Sequence, residues 1–459
     1  PASEVEELAA VVSTDTATYA DVERAPVIVV AGLDPEEEVP ILHLRLRKAW
    51  RSHKARIVVV GPHLGTLADL AWRHVVTAPG EEAAALRDLA GPGGEGVTQA
   101  SASALQEVDN PVILVGERAG EGSISAGAAL AETVGGKVAF VPRRAGARGA
   151  IDAGLIAGLL PGGRRLDDEA DRAELLEHWD HLPAERGRDL HAILTDAAAG
   201  KIDVLHLIGV DLVTDVASTE LARAALAKVG TVIVQDLART DTVSDHADIV
   251  LPVAGRQERE GTATNWEGRA QRFAQAIDAP DLVQQDWEVL IQVSAVLGQD
   301  LGFSDLGALR AEMARVGTRA SGHAFPDLAA ATAPDADVEA GEGVGVDDDD
   351  AGLKVVARSM LLDRGTMLTG ATELLATARE TAVHLATEDA QAQQISDGDL
   401  VEVVGANGSL TATARVLPDV RPGVIVVPAN SAEQPAGVLA DRDGVAQVSL
   451  RKVTEAAEE

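Results

Sequence analysis

Short apolar runs alternate with amphipathic segments through the first third of the chain. PVIVVAG (26–32) and ARIVVVGP (55–62) are unbroken stretches rich in Val and Ile, the pattern of strands covered on both faces. Between them EEEVPILHLRLRKAWRSH (36–53) reads as one amphipathic helix. PVILVGERAG (111–120), SISAGAALAETVGG (123–136) and KVAFVP (137–142) repeat the order strand, helix, strand. The alternation predicts a doubly wound parallel sheet over residues 1–142.

RRAGARGAIDAGLIAGLLPGGRRL (143–166) is too glycine-rich to predict a regular element. IDVLHLIGVDLVTD (202–215) and TVIVQDLART (231–240) follow as strands, with STELARAALAKVG (218–230) as the crossover helix. A second α/β domain is expected over 143–332. The stretch 333–352, acidic and rich in Gly, has a linker's composition. GDLVEVVGANGSLTATARVLPDVRPGVIVVPAN (398–430) then gives short strands broken by turn residues, and 353–459 is expected to form a small β-barrel.

The 459 residues carry 39 Lys+Arg against 73 Asp+Glu, a net charge of −34. With no basic block expected to interrupt the acidity, nucleic acid and anionic lipid are poor partners. The apolar runs fall short of a membrane span, so direct membrane insertion is not expected. The chain has no cysteine, which removes thiol catalysis, disulfides and thiolate-held clusters from these residues. It opens on PASEVEELAA, without Met or a signal-like pattern, and is read as a fragment or processed chain.

Several patterns offer binding chemistry. Gly91, Gly93 and Gly96 spell G-x-G-x-x-G, but a helical run precedes them where a dinucleotide fingerprint needs a strand. Gly116 to Gly122 lies between a strand and a helix, where free N–H groups can face an anion, although ordinary turns use glycine too. His178 and His181, with Glu174 or Glu177, share a helical spacing but lack a further ligand cluster. In VIVQDLARTDTVSDHADIVLPVAGRQEREGTATNWEGRAQRFAQAI (232–277), Asp236 ends a strand at the edge where open α/β sheets bind ligands. Thr240, Thr242 and Ser244 add hydroxyls, and Glu258, Glu260, Asn265, Glu267 and Arg269 crowd the later loop. Asp236 suits paired N–H donors, and Asn265 and Arg269 suit carbonyls and phosphates. Helix capping by Asp236 and Thr240, with Glu267 paired to Arg269 or Arg272, accounts for the same residues equally well.

That stretch resembles the molybdopterin oxidoreductase superfamily, with Gln235-Asp236 closing a strand, Ala247 to Pro252 as an ADxxLP strand, and Glu258 to Gln271 as an E-x-x-G-T-x-x-N-x-E-G-R-x-Q loop. Weaker similarity extends over 26–62, over GARGAIDAGLIAGLLPGG and over the C-terminal region, which looks like the family's dinucleotide-binding barrel. The resemblance implies α/β, doubly wound parallel-sheet domains of molybdopterin-oxidoreductase type and a C-terminal β-barrel. LLDRGTML (361–368) is similar to the barrel entry of the large iron-sulfur (G) subunit of NADH-quinone oxidoreductase, respiratory complex I, and differs from that of the molybdenum enzymes. On that branch the resemblance implies a scaffold in the peripheral arm, supporting electron transfer from NADH to quinone at the cytoplasmic side of the cell membrane. Its partners would be other complex I subunits, with no nucleic acid. No catalytic residue, metal ligand or cofactor is expected in this chain, and iron-sulfur clusters are expected in a preceding region. Asp236, Thr240, Glu260, Asn265 and Arg269 then mark a vestigial cleft. The other branch is a molybdopterin guanine dinucleotide oxidoreductase of formate-dehydrogenase type, in which Asp236 and Thr240 hold the guanine and Arg269 the phosphates.

Overall fold

The computed structural model describes residues 7–8, 16–91, 95–317, 352–430, 435–441 and 446–453. Strands β1 (Val27–Ala31), β2 (Arg56–Gly61), β3 (Ala71–Val76), β4 (Val112–Gly116) and β5 (Lys137–Val141) form a five-stranded parallel sheet in the order β3-β2-β1-β4-β5. Every residue of β1 and β4 is buried, because both faces are covered. Ile28 and Val30 enter a core with Leu42 and Leu46, while Val27 and Val29 face Leu86, Leu105 and Leu130 on the other side.

The single helix expected over 36–53 is instead broken. Pro40 lacks an N–H and pushes the preceding residue out of helical space, and Val39 sits at φ −143°, ψ 67°. Helices Pro35–Glu38 and Pro40–Lys48 result, followed by a π-helical turn, Ala49–His53. The edge strand β3 was not foreseen, since its half-exposed AWRHVV lacks the apolar run of its neighbours.

The glycine-rich stretch after β5 folds into a short helix, Ala147–Asp152, and a minimal hairpin of β6 (Leu159–Leu160) and β7 (Arg164–Arg165). Next, β8 (Val204–Ile208), β9 (Thr231–Asp236) and β10 (Ile249–Pro252) make a parallel sheet in the order β10-β9-β8. Helices Leu190–Ala198 and Thr219–Leu226 cover one face through Leu194, Leu221 and Ala225. An antiparallel hairpin of β11 (Gly261–Thr264) and β12 (Ala270–Phe273) follows. Its turn does not stay with the second sheet: Trp266 is buried in the core of the first.

The C-terminal region closes a six-stranded barrel in the order β13-β17-β14-β16-β15-β18, from β13 (Leu353–Arg358), β14 (Ala382–Ala386), β15 (Leu400–Val404), β16 (Ser409–Leu417), β17 (Val424–Pro428) and β18 (Gln447–Lys452). Alternate residues Val401, Val403, Leu410, Ala412 and Ala414 point inward, the period-two pattern that lets a small barrel fill itself. The acidic stretch 333–352 lies outside the described residues apart from Gly352.

Candidate cofactor cleft

The C-terminal edge of the first sheet faces the barrel across a cleft of about 430 Å³, lined in part by His63, Thr66, Arg358, Arg379, His384 and Asp419. Helix Pro35–Glu38, with proline at its first position, brings Glu36 into the cleft lining and Glu37 to the cleft arginines. Arg358, at the end of β13, places Nε 3.2 Å from Asp34 Oδ2, without the alignment of a hydrogen bond, and donates from Nη2 to Glu37 Oε1 at 3.0 Å. Arg379 reaches Glu37 Oε1 at 2.6 Å and Glu36 Oε2 at 2.9 Å. Asp34 also accepts from Thr66, and Glu37 Oε2 from Leu361 N at 2.8 Å. Leu64 N donates to Asp419 Oδ2 at 3.1 Å, tying the barrel to the loop after β2.

Each side of the cleft contributes a histidine, His63 from the loop after β2 and His384 from β14. Burial, helped by the charge of Arg118, lowers the His63 pKa to about 3. Burial and the Arg358 charge lower that of His384 to about 4. Both rings are therefore neutral at physiological pH, and the Nδ1 atom of each is buried without a hydrogen-bond partner.

The strand order reverses between β1 and β4, the crevice where open α/β sheets take ligands. Here backbone fills it. Gly32 has φ 59°, and a Cβ on it would lie 2.5 Å from Ala119 Cα; one on Gly116 would lie 2.8 Å from Leu33 Cβ. Arg118 N donates to Gly32 O at 3.3 Å, and the Arg118 guanidinium pairs with Glu38 at 2.5 Å. Burial outweighs that pairing and raises the Glu38 pKa. Three N–H groups of the 116–122 turn are also engaged: Arg118 N by Gly32 O, Ala119 N by Gly116 O, and Gly120 N at 3.0 Å by Glu82 Oε2, which also accepts from Gly80 N. The chain thus supplies its own carboxylate at the Gly116–Gly122 turn.

Among the described residues, no hydrogen bond or ion pair joins Asp236 or Thr240 to Glu260, Asn265 or Arg269. Asp236 Oδ1 accepts from Leu237 N at 2.6 Å and Ala238 N at 3.4 Å. Thr240 caps helix Asp241–His246 by accepting from Val243 N at 3.3 Å. Both stand at the edge of the second sheet, near Asp211 and Asp215. Thr242 donates to Asp211. Burial, reinforced by Asp211 and Asp236 and opposed by Arg144, raises the Asp215 pKa. Glu260 pairs with Arg310 at 3.6 Å. Asn265 and Arg269 serve the β11–β12 turn: Asn265 Oδ1 accepts from Arg269 N at 2.9 Å, its Nδ2 donates to Glu267 Oε1 at 3.2 Å, and Arg269 Nε pairs with Glu267 at 3.2 Å. Glu267 Oε2 in turn accepts from Tyr19 N at 3.0 Å. His178 and His181 join no group of three His, Asp or Glu able to hold a metal among the described residues. Of the G-x-G-x-x-G glycines, Gly93 lies outside them, and Gly96 opens the helix Gly96–Gln106.

Sequence reasoning missed the ion pairs around Asp34, Glu37 and Arg358, because their partners lie over 300 positions apart. PEEEVP and VARSM contain them, but nothing local joins the two. The expectation that no basic block interrupts the acidity also fails. Arg45, Arg47, Lys48, Arg51, Lys54 and Arg56 fall within a run, 39–68, that has no Asp or Glu.

The family profile described as Molybdopterin oxidoreductase matches residues 6–296. The chain belongs to the molybdopterin oxidoreductase family. The profile of the molybdopterin dinucleotide binding domain matches 364–455, over the barrel. Within this family, the G subunit of NADH-quinone oxidoreductase from Mycobacterium bovis is 38% identical over 422 residues, and its Streptomyces coelicolor namesake 36% over 438. Those alignments take in 90% and 92% of this chain but 50% of either relative, so the chain spans about half their length. The alpha chain of F420-dependent formate dehydrogenase 2 from Methanococcus maripaludis is 27% identical over 309 residues, covering 61% of this chain and 45% of that protein. Acetylene hydratase from Pelobacter acetylenicus shares the fold, with a TM-score of 0.66 at 13% identity over 98% of this chain and 81% of that one.

The two profiles imply a molybdopterin-type cofactor region here, which stands against the expectation of none. The donors of the cleft and crevice are largely engaged already. A dinucleotide carries an anionic pyrophosphate, which needs free cations or open backbone N–H groups. The cleft arginines Arg358 and Arg379 already hold carboxylates, the β1–β4 crevice is closed, and the second-sheet edge presents Asp211, Asp215 and Asp236.

Proposed function

We propose that this chain is the scaffold part of a G subunit of a proton-pumping NADH-quinone oxidoreductase, supporting electron transfer from NADH to quinone without a redox residue of its own. The supporting observation is the 36–38% identity to relatives of that name over at least nine-tenths of the chain, joined to a cleft whose arginines are neutralised internally. The absence of cysteine agrees with clusters carried by another part of such a protein. In this reading no cofactor sits in these residues, and Asp236, Thr240, Glu260, Asn265 and Arg269 serve the scaffold. The partners are the neighbouring subunits of the peripheral arm, on the cytoplasmic side of the cell membrane. No helix among the described residues is long and apolar enough to cross a membrane. The chain is read as units 1–142, 143–332 and 353–459 with 333–352 as linker; in support, no sheet among the described residues draws strands from more than one unit, while Trp266 crosses the first boundary.

The competing reading is a molybdopterin guanine dinucleotide oxidoreductase, favoured by the match to the dinucleotide-binding profile and the likeness to formate dehydrogenases. Elemental analysis of the purified chain separates the two. Molybdenum and tungsten well below one per chain are expected, and a stoichiometric amount of either would sink the scaffold reading.

A further inference from the structure

A cationic hollow in this acidic protein lies at the opposite end of the first sheet from the cleft. Arg47, Trp50, Arg51, Lys54, Ala55, Arg56, Leu70, Ala71 and Trp72 line an open hollow of about 720 Å³. It is built by the last turn of helix Pro40–Lys48, the π-helical turn 49–53, and the starts of β2 and β3. The π turn widens the helix end, and Lys54, at φ 57°, reverses the chain. Together they turn Trp50 and Arg51 outward beside Arg56. Single π turns often mark functional positions.

The cations here differ from those of the cleft. Arg45 and Lys48, on the flank, pair with Glu23, but Arg47, Arg51 and Lys54 have no carboxylate partner among the described residues. Arg56 and Arg73 lie over the Trp72 ring, 5.2 and 4.4 Å from its centre. Stacking holds their guanidinium groups in place, so less side-chain entropy is lost when an anion arrives. Trp50 is 41% exposed, a large apolar surface left at the rim. A helix C-terminus favours nearby cations, which accounts for Arg47, Lys48, Arg51 and Lys54; it does not account for Arg56 stacked on Trp72 and the exposed Trp50 at the same hollow.

We propose that this hollow is a docking surface for an acidic segment of a partner protein, which inserts carboxylates among Arg47, Arg51, Lys54 and Arg56 and packs an apolar side chain on Trp50. Charge complementarity and composition carry the choice of partner. Arg and Trp are the residues that dominate protein interfaces. A compact phosphate could take the same cations but would leave the exposed surface of Trp50 uncovered. A nucleobase would find only Trp50 to stack on, since Trp72 is covered by guanidinium groups. A flat anionic membrane matches a plane of cations, not a concavity between two indoles. The inference is independent of the scaffold reading, because it rests on this face alone.

The test uses the 459-residue chain and a fluorescein-labelled, Glu-rich decapeptide with a central Leu, read by anisotropy and by tryptophan fluorescence. A Lys-rich peptide, ADP, single-stranded oligonucleotide and phosphatidylglycerol vesicles serve as the other arms. Saturable, salt-sensitive binding of the acidic peptide is expected, weakened about tenfold or more by R51E/K54E, which removes close charge pairs, and weakened also by Trp50→Phe. Arg51 and Lys54 are exposed and have no carboxylate partner among the described residues, so the double variant keeps the circular dichroism and the cooperative unfolding of the parent. No binding of the acidic peptide, or binding untouched by R51E/K54E, overturns the proposal. So does tighter binding of ADP, oligonucleotide or vesicles that the double variant abolishes, or self-association of the chain that it abolishes.

Discussion

Trp266 meets Tyr19 edge to face, ring centroids 4.8 Å apart at 77°. Tyr19 opens the helix Tyr19–Arg24 before β1, and Trp266 sits at the turn between β11 and β12. Glu267 fastens the same junction by accepting from Tyr19 N. The most distinctive motif of the chain, TNWEGR, is thus a plug that joins the hairpin to the first core. Trp266→Ala removes a side chain only 3% exposed and is expected to cost about 3–5 kcal/mol. Urea unfolding followed by far-ultraviolet circular dichroism measures it; a loss under about 1 kcal/mol, the size of a surface change, contradicts the plug.

Arg358 bridges Asp34 and Glu37 across the interface of the first sheet and the barrel. Arg358→Ala leaves the buried Asp34 without its cation and Glu37 with Arg379 alone, a change worth about 3–5 kcal/mol. Arg379, half exposed, pairs with the same Glu37, and Arg379→Ala is expected to cost about 1 kcal/mol or less. Thermal unfolding of both variants checks the order of the two effects.

Gly32→Ala tests the filled crevice. The backbone there is left-handed, and a Cβ has no room beside Ala119. The substitution is expected to destabilise by about 1–3 kcal/mol from strain alone. Unchanged chemical unfolding would mean that the crevice opens readily.

His63 and His384 make stability depend on acid. Their pKa values in the folded protein, about 3 and about 4, lie below that of an unfolded histidine, about 6.5. As pH falls from 7 to 4.5, the unfolded chain takes up protons that the folded one refuses, so stability falls. Glu38 and Glu82, with raised values, act in the opposite direction. The informative quantity is therefore a difference: the drop in melting temperature between pH 7 and 4.5 is expected to be smaller in His63→Gln/His384→Gln than in the parent. An equal drop in both places the rings in water.

Asp236→Ala removes a carboxylate that receives two N–H groups of its own loop. A cost of about 0.5–2 kcal/mol is expected, as for the loss of a helix cap. Differential scanning calorimetry reads it, and a variant as stable as the parent would assign Asp236 no structural part.

Much of the architecture was legible because it follows from local periodicity. The valine runs of β1, β2 and β4 announce strands covered on both faces, and the alternation in β15 and β16 announces a barrel wall. Pro40 could have been read as the end of a helix. β3 could not be read in the same way, since an edge strand with Arg73 and His74 lacks an apolar period. For the candidate residues the sequence left two accounts level, cofactor contacts or local caps and pairs. Asp236 caps its loop, Thr240 caps a helix, and Glu267 holds Arg269.

What the sequence determined by itself is composition and local pattern: an acidic, cysteine-free chain of alternating strands and helices, ending in strands of period two. Only the tertiary structure decided where charge is spent. Asp34 and Arg358 are 324 positions apart in sequence yet 3.2 Å apart in space, while Arg51 and Arg56, close in sequence, gather around a hollow with Trp72. The reason is physical. Secondary structure follows from the side chains of a few neighbouring residues, whereas burial and pairing of charge depend on which distant segments share a region of low dielectric.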